Sequence, residues 1–274
     1  MSGYPCTKDL YKAFLQASRV RYSGLALSEV SPSRVSHDSV IRRLKSRCFR
    51  PKELCQLVAP SIERGAPCLV IAADTVLAKK RSKKIELFHY QYSGNEQGVI
   101  AGIGLVNLLW QGLETGESVP IDYRIDDKET AGKTKSSHFC DMLKLAKARG
   151  ISPEAVVMDA WYSSLDNLNA IRSPGWIGVT TLRKHRIVNR NVTLASLDIP
   201  EEGLSVHLRG DGWVTVFKFV AKHGCIDYVA TNQETPTRGQ ISAVTEARRS
   251  VEVYHREITQ TCGIERCQAR TGRA

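Results

Sequence analysis

The sequence lacks the features of a membrane-spanning or disulfide-built protein. No stretch approaches the roughly 18 consecutive apolar residues that a transmembrane helix needs. The first residues contain no apolar core of the kind found in a secretory signal. The eight cysteines include no CxxC pair and no set at zinc-site spacing. We therefore expect free thiols in a reducing, cytoplasmic compartment.

The sequence has fewer acidic than basic residues. Lys and Arg together number 39 against 28 Asp and Glu, which gives the 274-residue chain a formal net charge of +11. The excess is concentrated at the start, where residues 1–65 carry 12 basic and 5 acidic side chains. A surplus of this kind favours a polyanionic partner such as DNA, RNA or an anionic membrane surface. The length suffices for a full core in one large domain or two smaller ones.

Residues 1–65 are predicted to be helical. Ser36 suits the N-cap of a helix that turns Val40, Ile41 and Leu44 inward. The short connection before Ser36 would join this helix to the preceding one, which is a helix-turn-helix pattern with a basic second helix. Plain helix packing is the alternative, because any small helical pair gives a similar pattern. The predicted DNA contacts of this region are Arg42, Arg43 and Lys45.

The segment CLVIAADTVLAKKRSKK, residues 68–84, joins a buried strand to a group of cations. Its first six residues are apolar, which suits a strand buried on both faces, and Asp74 follows them directly. In α/β folds, ligands bind at the ends of such strands. A capped strand followed by a solvated loop is the alternative. The cations that would suit a polyanion here are Lys79, Lys80, Arg81, Lys83 and Lys84.

Residues 66–183 alternate between strand and helix. The turn between the second and third predicted strands makes them an antiparallel hairpin. One amphipathic helix closes at Gly150, and a shorter helix is broken by Pro174 and Gly175. This order predicts a mixed sheet flanked by helices, an α/β fold. The strands are predicted at 68–74, 99–110, 118–125, 155–159 and 176–182.

The last third of the chain changes character. Residues 184–235 alternate between polar and β-branched or aromatic residues, with glycine turns, which predicts a small antiparallel sheet inserted into the larger domain. From about Ser242 the sequence predicts one long helix that ends near Gly263. Residues 236–274 would thus return to the larger domain.

Two acids end apolar strands. Asp159 closes the strand predicted at 155–159, as Asp74 closes the first. If these strands are parallel neighbours, their carboxylates share one sheet edge and repel unless a cation lies between them. Mg²⁺ or Mn²⁺ fits, because hard cations take carboxylate and water ligands and leave room for phosphate oxygens. Two such ions, about 3.5–4 Å apart, serve phosphodiester cleavage.

A third carboxylate is expected from the long helix. The helix offers Glu246, Glu252 and Glu257. At about 100° per residue, Glu252 shares a polar stripe with Arg248, whereas Glu257 lies about 140° away from Glu252. A carboxylate on metal beside a guanidinium on phosphate favours Glu252.

Three segments resemble the acidic motifs of bacterial insertion-sequence DDE transposases, which have an RNase H-like fold. They are IAADTVLAKK, VVMDAWYSSLDNL and RRSVEVYHREITQTCGIERCQAR. The resemblance is to the group whose third motif runs Tyr-x2-Arg-x3-Glu-x6-Lys, and it covers roughly residues 20–274 in order. It implies that Asp74, Asp159 and Glu252 are the catalytic, metal-binding acids and that Arg248 takes the arginine position. KTKSSHF and GWIGVTTLRKHRIV also resemble this group.

The same resemblance implies the reaction and its partners. The expected enzyme cleaves double-stranded DNA at the terminal inverted repeats of an element and joins it to target DNA, using two Mg²⁺ or Mn²⁺ ions. We expect a homodimer in the DNA complex, associated with the nucleoid. The RNase H-like core would comprise 66–183 and 236–274, interrupted by the β-rich insertion at 184–235, after an N-terminal DNA-binding region at 1–65.

Side chains near the acids are the remaining predicted DNA contacts. Trp161 and Tyr162 follow Asp159 and would pack against a base or sugar, or else anchor the next helix to the core. Trp213 would stack on an extruded base, with a place in the core of a small sheet as the alternative. The cations expected along the DNA backbone are Lys79, Lys80, Arg81 and Arg248.

Two positions depart from the group's third motif. Thr245 stands at its tyrosine and Thr259 at its lysine, so the helix lacks a cation expected beside the transferred phosphate. The chain also ends about ten residues after the predicted helix, so we expect a truncated or decayed copy. Beside the cut-and-paste transposase, two alternatives stay open: an inactive DNA-binding regulator of transposition, and a standalone metal-dependent DNA nuclease.

Overall fold

The structure is a computed structural model, and the residues that it describes are 6–18, 23–46, 49–79, 85–94, 96–127, 132–221 and 224–266. The chain divides into two compact units, each described by itself. The first comprises Met1–Arg50, Thr75–Leu105 and Val253–Ala274, and the second comprises Pro51–Asp74 and Val106–Glu252. The domain boundaries expected from the sequence stay a prediction.

Three short helices open the first unit. They are α1 (Lys8–Ala17), α2 (Gly24–Val30) and α3 (His37–Lys45). Each begins at a hydroxyl N-cap, and the Ser36 cap of α3 was predicted. Val40 is buried as expected, whereas Ile41, expected to point inward, is 40% exposed. The apolar cluster of these helices consists of Cys6, Phe14, Leu27, Val35 and Val40.

A β-hairpin completes the described strands of the first unit. Strand β2 (His89–Ser93) pairs antiparallel with the start of β3 (Gly98–Gly112), from His89↔Gly102 to Ser93↔Gly98. Strand β1 (Cys68–Ala78) also has its last residues in this unit. A Cβ on Gly102 would lie 2.5 Å from the Leu77 carbonyl oxygen, so only glycine allows this close backbone approach. No strand was predicted at β2, whose tyrosines are exposed.

The second unit is built on a mixed sheet. Its strand order is β3-β1-β5-β6-β11-β10-β9, with β4 paired to β3. β1, β5 and β6 are parallel neighbours, and β6-β11-β10-β9 are antiparallel. All five strands expected from the sequence are present, which confirms the predicted mixed α/β fold. The further strands are β4 (Ser118–Asp126), β5 (Ala155–Met158), β6 (Ile177–Leu182), β9 (Leu204–Leu208), β10 (Gly212–Val220) and β11 (Ile226–Thr231).

Helices cover this sheet and contribute to its core. α5 begins at the Thr134 cap and ends before Gly150, whose φ of 79° suits the predicted glycine terminus. Its inward residues Phe139 and Met142 are fully buried with the apolar faces of β1 and β5. No helix in the described ranges is long and apolar enough to cross a membrane. The helices are α4 (Pro51–Val58), α5 (Lys135–Ala148), α6 (Leu165–Arg172), α7 (Arg238–Ala247) and α8 (Arg249–Arg256).

Residues 184–235 form less of a separate sheet than expected. The small antiparallel sheet consists of β7 (Ile187–Val188) and β8 (Val192–Thr193). Strands β9 to β11 instead extend the main sheet, because β11 pairs with the free edge of β6 from Tyr228↔Leu182 to Thr231↔Val179. Pairing an otherwise open strand edge satisfies its backbone hydrogen-bonding groups.

The single long helix expected near the end of the chain is divided. α7 and α8 meet at Arg248, where hydrogen bonds to the third preceding residue tighten the backbone. Residues 257–261 then form a π-helical turn, closed by the bond from Cys262 N to Glu257 O at 2.8 Å. Regular α-helical spacing therefore does not extend to Thr259, whose hydroxyl lies 2.8 Å from the His255 carbonyl oxygen.

A buried histidine predicts how stability depends on pH. His138 in α5 is 7% exposed, and its Nε2 has no hydrogen-bond partner among the described residues. Burial, followed by the charge of Arg124, lowers the pKa of His138. The unfolded chain, with a histidine pKa of about 6.5, therefore binds the proton more readily than the folded one. The contribution of neutral His138 to the free energy of unfolding is fully present above the unfolded-state pKa. It is lost as the pH falls from that pKa toward the lower pKa of the folded state.

We expect His138→Gln to reduce this pH dependence, because glutamine keeps hydrogen-bonding groups but does not titrate. Below about pH 6.5, each pH unit should remove up to about 1.4 kcal/mol from the wild type and less from the variant. Urea unfolding at pH values from about 8 to about 5 measures this. The exposed His37→Gln serves as the control, and equal pH slopes for wild type and His138→Gln would contradict the expectation.

Candidate active site

Two acids lie where neighbouring parallel strands run side by side. β1 and β5 pair from Leu69↔Ala155 to Ala72↔Met158, so Asp74 and Asp159 both lie just beyond the last pair. Burial raises the pKa of Asp159, and the nearby charge of Asp74 raises it further. The two carboxylates therefore share one edge, as expected. Asp74 does not end its strand, because β1 continues to Ala78 after β5 has ended.

Asp74 is held by a cation and a hydroxyl. The Lys135 ammonium nitrogen lies 2.5 Å from Oδ2 of Asp74, and the Tyr162 hydroxyl donates to Oδ1 at 3.2 Å. The side chains of Lys135 and Asp74 are only 13% and 17% exposed, so water weakens this ion pair less than it weakens a surface pair. Lys135 was not among the site residues predicted from the sequence. Its only signal was the KTKSSHF segment, which places a lysine at the start of α5.

Tyr162 is part of the core and not of a DNA-contacting surface. Its side chain is fully buried, and its ring centroid lies 5.3 Å from that of Phe139. Burial raises its pKa well above 10, and the charges of Asp74 and Asp159 add to this, so the hydroxyl stays protonated and can donate. The predicted packing of Tyr162 on a base or sugar is thus corrected, because no DNA reaches a side chain enclosed in this way. The alternative, an anchor to the core, applies.

Asp159 is oriented by the turn that follows it. Its Oδ1 accepts a hydrogen bond from the backbone N–H of Trp161 at 2.9 Å, which caps the short 3₁₀ turn Ala160–Tyr162. Its backbone carbonyl accepts from the Thr180 hydroxyl of β6 at 3.1 Å. The positive charge of Arg248 also acts on Asp159 and favours its ionised form. The second acid is therefore fixed in direction and lies near a guanidinium.

Glu252 contacts Arg248, and it forms no metal-binding group with the two aspartates. Arg248 Nη2 is 3.4 Å from Glu252 Oε1, one helical turn apart, as the expected polar stripe requires. The Glu252 side chain is 62% exposed. Within the described parts of the chain, no three His, Cys, Asp or Glu side chains form a group that could hold a metal ion. The role of Glu252 as third acid stays a prediction.

The paired aspartates suit a hard divalent cation. Carboxylate oxygens are the ligands that Mg²⁺ and Mn²⁺ prefer. The ammonium group of Lys135 lies 2.5 Å from Asp74, so Asp74 already binds a positive charge at this edge. Asp74 and Asp159 thus supply two suitable ligands.

The lysines after Asp74 are placed differently from the prediction. Lys79 is 6% exposed, and its ammonium donates to the carbonyl oxygens of Glu265 at 2.6 Å and Ile264 at 3.4 Å. An ammonium enclosed by two carbonyls is not presented to a phosphate, which corrects the expected DNA contact of Lys79. Lys80 and Arg81, like Lys83 and Lys84, lie outside the described residues.

The other predicted DNA contacts lie at the surface of their own units. Trp161 is 51% exposed, with the Arg183 guanidinium 5.6 Å from its ring centroid. Trp213 is 64% exposed and contacts His207 edge-on, so its alternative place in a sheet core is wrong. At the end of α3, Arg42 and Lys45 are exposed and Arg43 is half-buried.

The fold agrees with the comparisons to known proteins. The family model described as the transposase DDE domain matches residues 112–274, so the chain belongs to this family of transposases. No curated protein matches the chain. The fold is similar to that of the piggyBac transposase in its synaptic complex with hairpin DNA, with a TM-score of 0.53 and 12% identity. That likeness covers 92% of this chain but only 57% of the piggyBac chain, so the present chain spans little more than half of that length.

Two further solved structures are more distant. The catalytic domain of human endonuclease V matches with a TM-score of 0.40 and 12% identity, over 83% of this chain and 96% of that one. The Mos1 transposase in its paired-end complex with the left transposon end matches with a TM-score of 0.23 and 14% identity, over 64% and 60% of the two chains.

The ion pair at Asp74 predicts a measurable contribution to stability. Lys135→Met keeps most of the side-chain volume but leaves the Asp74 carboxylate without its cation, which should cost about 2 kcal/mol. The control is Lys133→Met, because Lys133 pairs with Asp141 at 2.6 Å while 51% exposed, and such a pair contributes less than about 1 kcal/mol. Urea unfolding measures both variants. Equal losses would show that the Lys135 pair is no stronger than a surface pair.

Proposed function

We propose that this chain is a DNA transposase of the cut-and-paste type. It would cleave a phosphodiester at the end of a mobile element and join the resulting 3′-hydroxyl to target DNA. The observation that carries this proposal is the pair Asp74 and Asp159 at one edge of a mixed sheet, in a chain of the transposase DDE family. The net charge of +11 supports DNA as the partner.

A divalent metal would be held by Asp74 and Asp159. Mg²⁺ or Mn²⁺ fits their oxygens, and two such ions would supply Lewis acidity and an activated water at the phosphate. Glu252 would complete the ligand set. Its 3.4 Å contact with Arg248 is an exposed i,i+4 pair, which costs only about 0.5 kcal/mol to give up.

The chain's own side chains would then position the substrate. Tyr162 and the turn capped by Asp159 hold the two carboxylates in their directions before DNA arrives. Arg248, released from Glu252, is suited to a phosphate oxygen because guanidinium groups bind phosphate in a planar, two-pronged way. Lys135 would supply a cation beside the reacting phosphate, the charge that Thr259 does not carry.

The N-terminal helices would bind DNA outside the active site. α3 carries its basic residues in its last turn, Arg42, Arg43 and Lys45, and α2 precedes it in a helix-turn-helix order. We propose that this region binds the phosphates of the terminal inverted repeats. A homodimer would then bring two element ends together.

An inactive DNA-binding regulator is the second candidate. It is favoured by Thr259, whose hydroxyl donates to the carbonyl oxygens of His255 and Arg256. It is also favoured because the described residues contain no group of three His, Cys, Asp or Glu side chains that could hold a metal ion. A standalone nuclease is the third. The regulator binds element ends without cutting them, whereas the nuclease cuts them without joining.

We expect Asp74→Asn and Asp159→Asn each to reduce cleavage of element-end DNA by about 1,000-fold or more, because a lost metal ligand removes several kcal/mol of transition-state stabilisation. Lys135→Met should reduce it by about 100-fold. DNA affinity should change by less than about twofold in the aspartate variants. Gel assays of cleavage and joining with Mg²⁺ or Mn²⁺ measure this, with the exposed Asp198→Asn as control. Cleavage by Asp74→Asn at the wild-type rate would refute the assigned site.

The α3 contacts predict how DNA binding depends on salt. Each phosphate contact contributes about −0.9 to the slope of log affinity against log salt concentration. We expect the double variant Arg42→Gln/Arg43→Gln to reduce the slope in magnitude by about 1.8. Fluorescence anisotropy from about 50 to 200 mM salt measures it, and the exposed Lys147→Gln on α5 serves as the control. An unchanged slope in the double variant would remove α3 from the DNA interface.

A further inference from the structure

A polar contact in the first unit joins two parts of the chain that are far apart in sequence. The ammonium group of Lys79, just after β1, donates to the carbonyl oxygens of Glu265 at 2.6 Å and Ile264 at 3.4 Å. In return, Oε1 of Glu265 accepts a hydrogen bond from the backbone N–H of Ala78 at 3.2 Å. We call this group the β1 clasp, and it is defined by Ala78, Lys79, Ile264 and Glu265.

The end of β1 explains why a carboxylate is needed there. Successive backbone N–H groups of a strand point to opposite edges. The N–H of Lys79 donates to the carbonyl oxygen of Ala101 in β3 at 2.9 Å, so that of Ala78 points to the edge along which β5 pairs. The last pair between β1 and β5 is Ala72↔Met158, so β5 provides no acceptor this far along the strand. Glu265 supplies that acceptor.

The ammonium group fixes the other half of the clasp. Lys79 is only 6% exposed, and a charge that is buried in this way needs hydrogen-bond partners. Its partners here are main-chain oxygens, whose positions depend on the fold of the turn and not on a side-chain rotamer. The short 3₁₀ turn Ile264–Arg266 is therefore held in one place on β1.

The clasp joins the two segments by which the chain passes from the second unit into the first. One crossing lies directly after Asp74, and the other lies directly after Glu252. Ala78 follows Asp74 by four residues in the same strand, and Ile264 follows Glu252 by twelve residues. The clasp thus ties together, inside the first unit, the segments that continue from the first and third predicted acids.

Both connections from the clasp to these acids are regular structure. β1 runs without interruption from Cys68 to Ala78 and so contains Asp74. On the other side, α8, which carries Glu252, leads directly into the π-helical turn at 257–261, and Gly263 then reverses the chain with a φ of 64°. Groups on strands and helices are held more precisely than groups on loops. A displacement at the clasp is therefore transmitted along both elements.

We propose that Lys79 and Glu265 are positioning residues for the third acid. By holding the turn Ile264–Arg266 on β1, they limit the positions that Glu252 takes relative to Asp74. A ligand that is restricted before metal binds loses less conformational freedom when the ligand set is completed. Neither residue would touch the metal or the DNA. This inference rests on the proposed function, because it concerns the acids to which that function assigns the metal.

Hydrogen exchange of the protein without metal or DNA tests the clasp independently of activity. Lys79→Met keeps most of the side-chain length but removes the donor, and Glu265→Ala removes the acceptor. Each should speed amide exchange about tenfold in β1 beyond Asp74 and in α8, which carries Glu252. Glu265→Gln should exchange like the wild type, because its amide oxygen still accepts from Ala78.

Cleavage of element-end DNA measures the effect on the metal site. The Mn²⁺ concentration for half-maximal cleavage should rise about tenfold in Lys79→Met and in Glu265→Ala, an effect typical of residues that orient metal ligands. DNA affinity without metal should change by less than about twofold. In a Glu252→Gln background, Lys79→Met should have little further effect on cleavage, because it acts through that carboxylate.

Glu257→Ala is the matched control, since it removes an exposed carboxylate from the same segment. It should match the wild type in both measurements. Thermal unfolding establishes that each variant is folded, and Glu265→Ala decides the matter if Lys79→Met is not. Wild-type exchange of α8 in the clasp variants would overturn the proposal. So would faster exchange with an unchanged Mn²⁺ requirement, since the clasp would then contribute to stability alone. If the wild type does not cleave DNA, the proposed function fails, and the exchange of α8 by itself decides on the clasp.

Discussion

The parallel pairing of β1 with β5 is the constraint on which the rest of this structure depends. These strands are buried on both faces and matched residue for residue from Leu69↔Ala155 to Ala72↔Met158. A shift of one residue would turn every side chain of one strand to the other face of the sheet and would move its acid along the edge. That register places Asp74 and Asp159 at one edge. The apolar core therefore determines the position of two acids that contribute nothing to it.

Two partly buried carboxylates at one edge are electrostatically unfavourable, and the surrounding side chains offset this cost. Burial and the charge of Asp74 both disfavour the charged form of Asp159. The Lys135 ammonium and the Tyr162 hydroxyl stabilise Asp74, while the Trp161 N–H and the charge of Arg248 act on Asp159. These partners come from three separate parts of the chain. The two carboxylates are therefore held in their directions by groups of the protein itself.

The same edge places the acid pair beside an exposed tryptophan and a guanidinium group. Asp159 is at once an acid of the pair and the cap of the turn that carries Trp161. Arg183 leaves the neighbouring strand β6 at the same edge.

Local patterns in the sequence determined the strands, the capped helices and the two strand-borne acids, because apolar runs, N-cap hydroxyls and glycine turns act over a few residues. Only the tertiary structure decided which distant groups meet. Lys135 and Asp74 are 61 residues apart, and no local pattern pairs them. The tertiary structure also decided which side chains are buried. Tyr162 and Lys79 have sequence neighbours of the kind that contact DNA, but both side chains are buried, while Trp213 is exposed. The extension of the main sheet by β9 to β11 depends on the edge of β6 that its pairing with β5 leaves free.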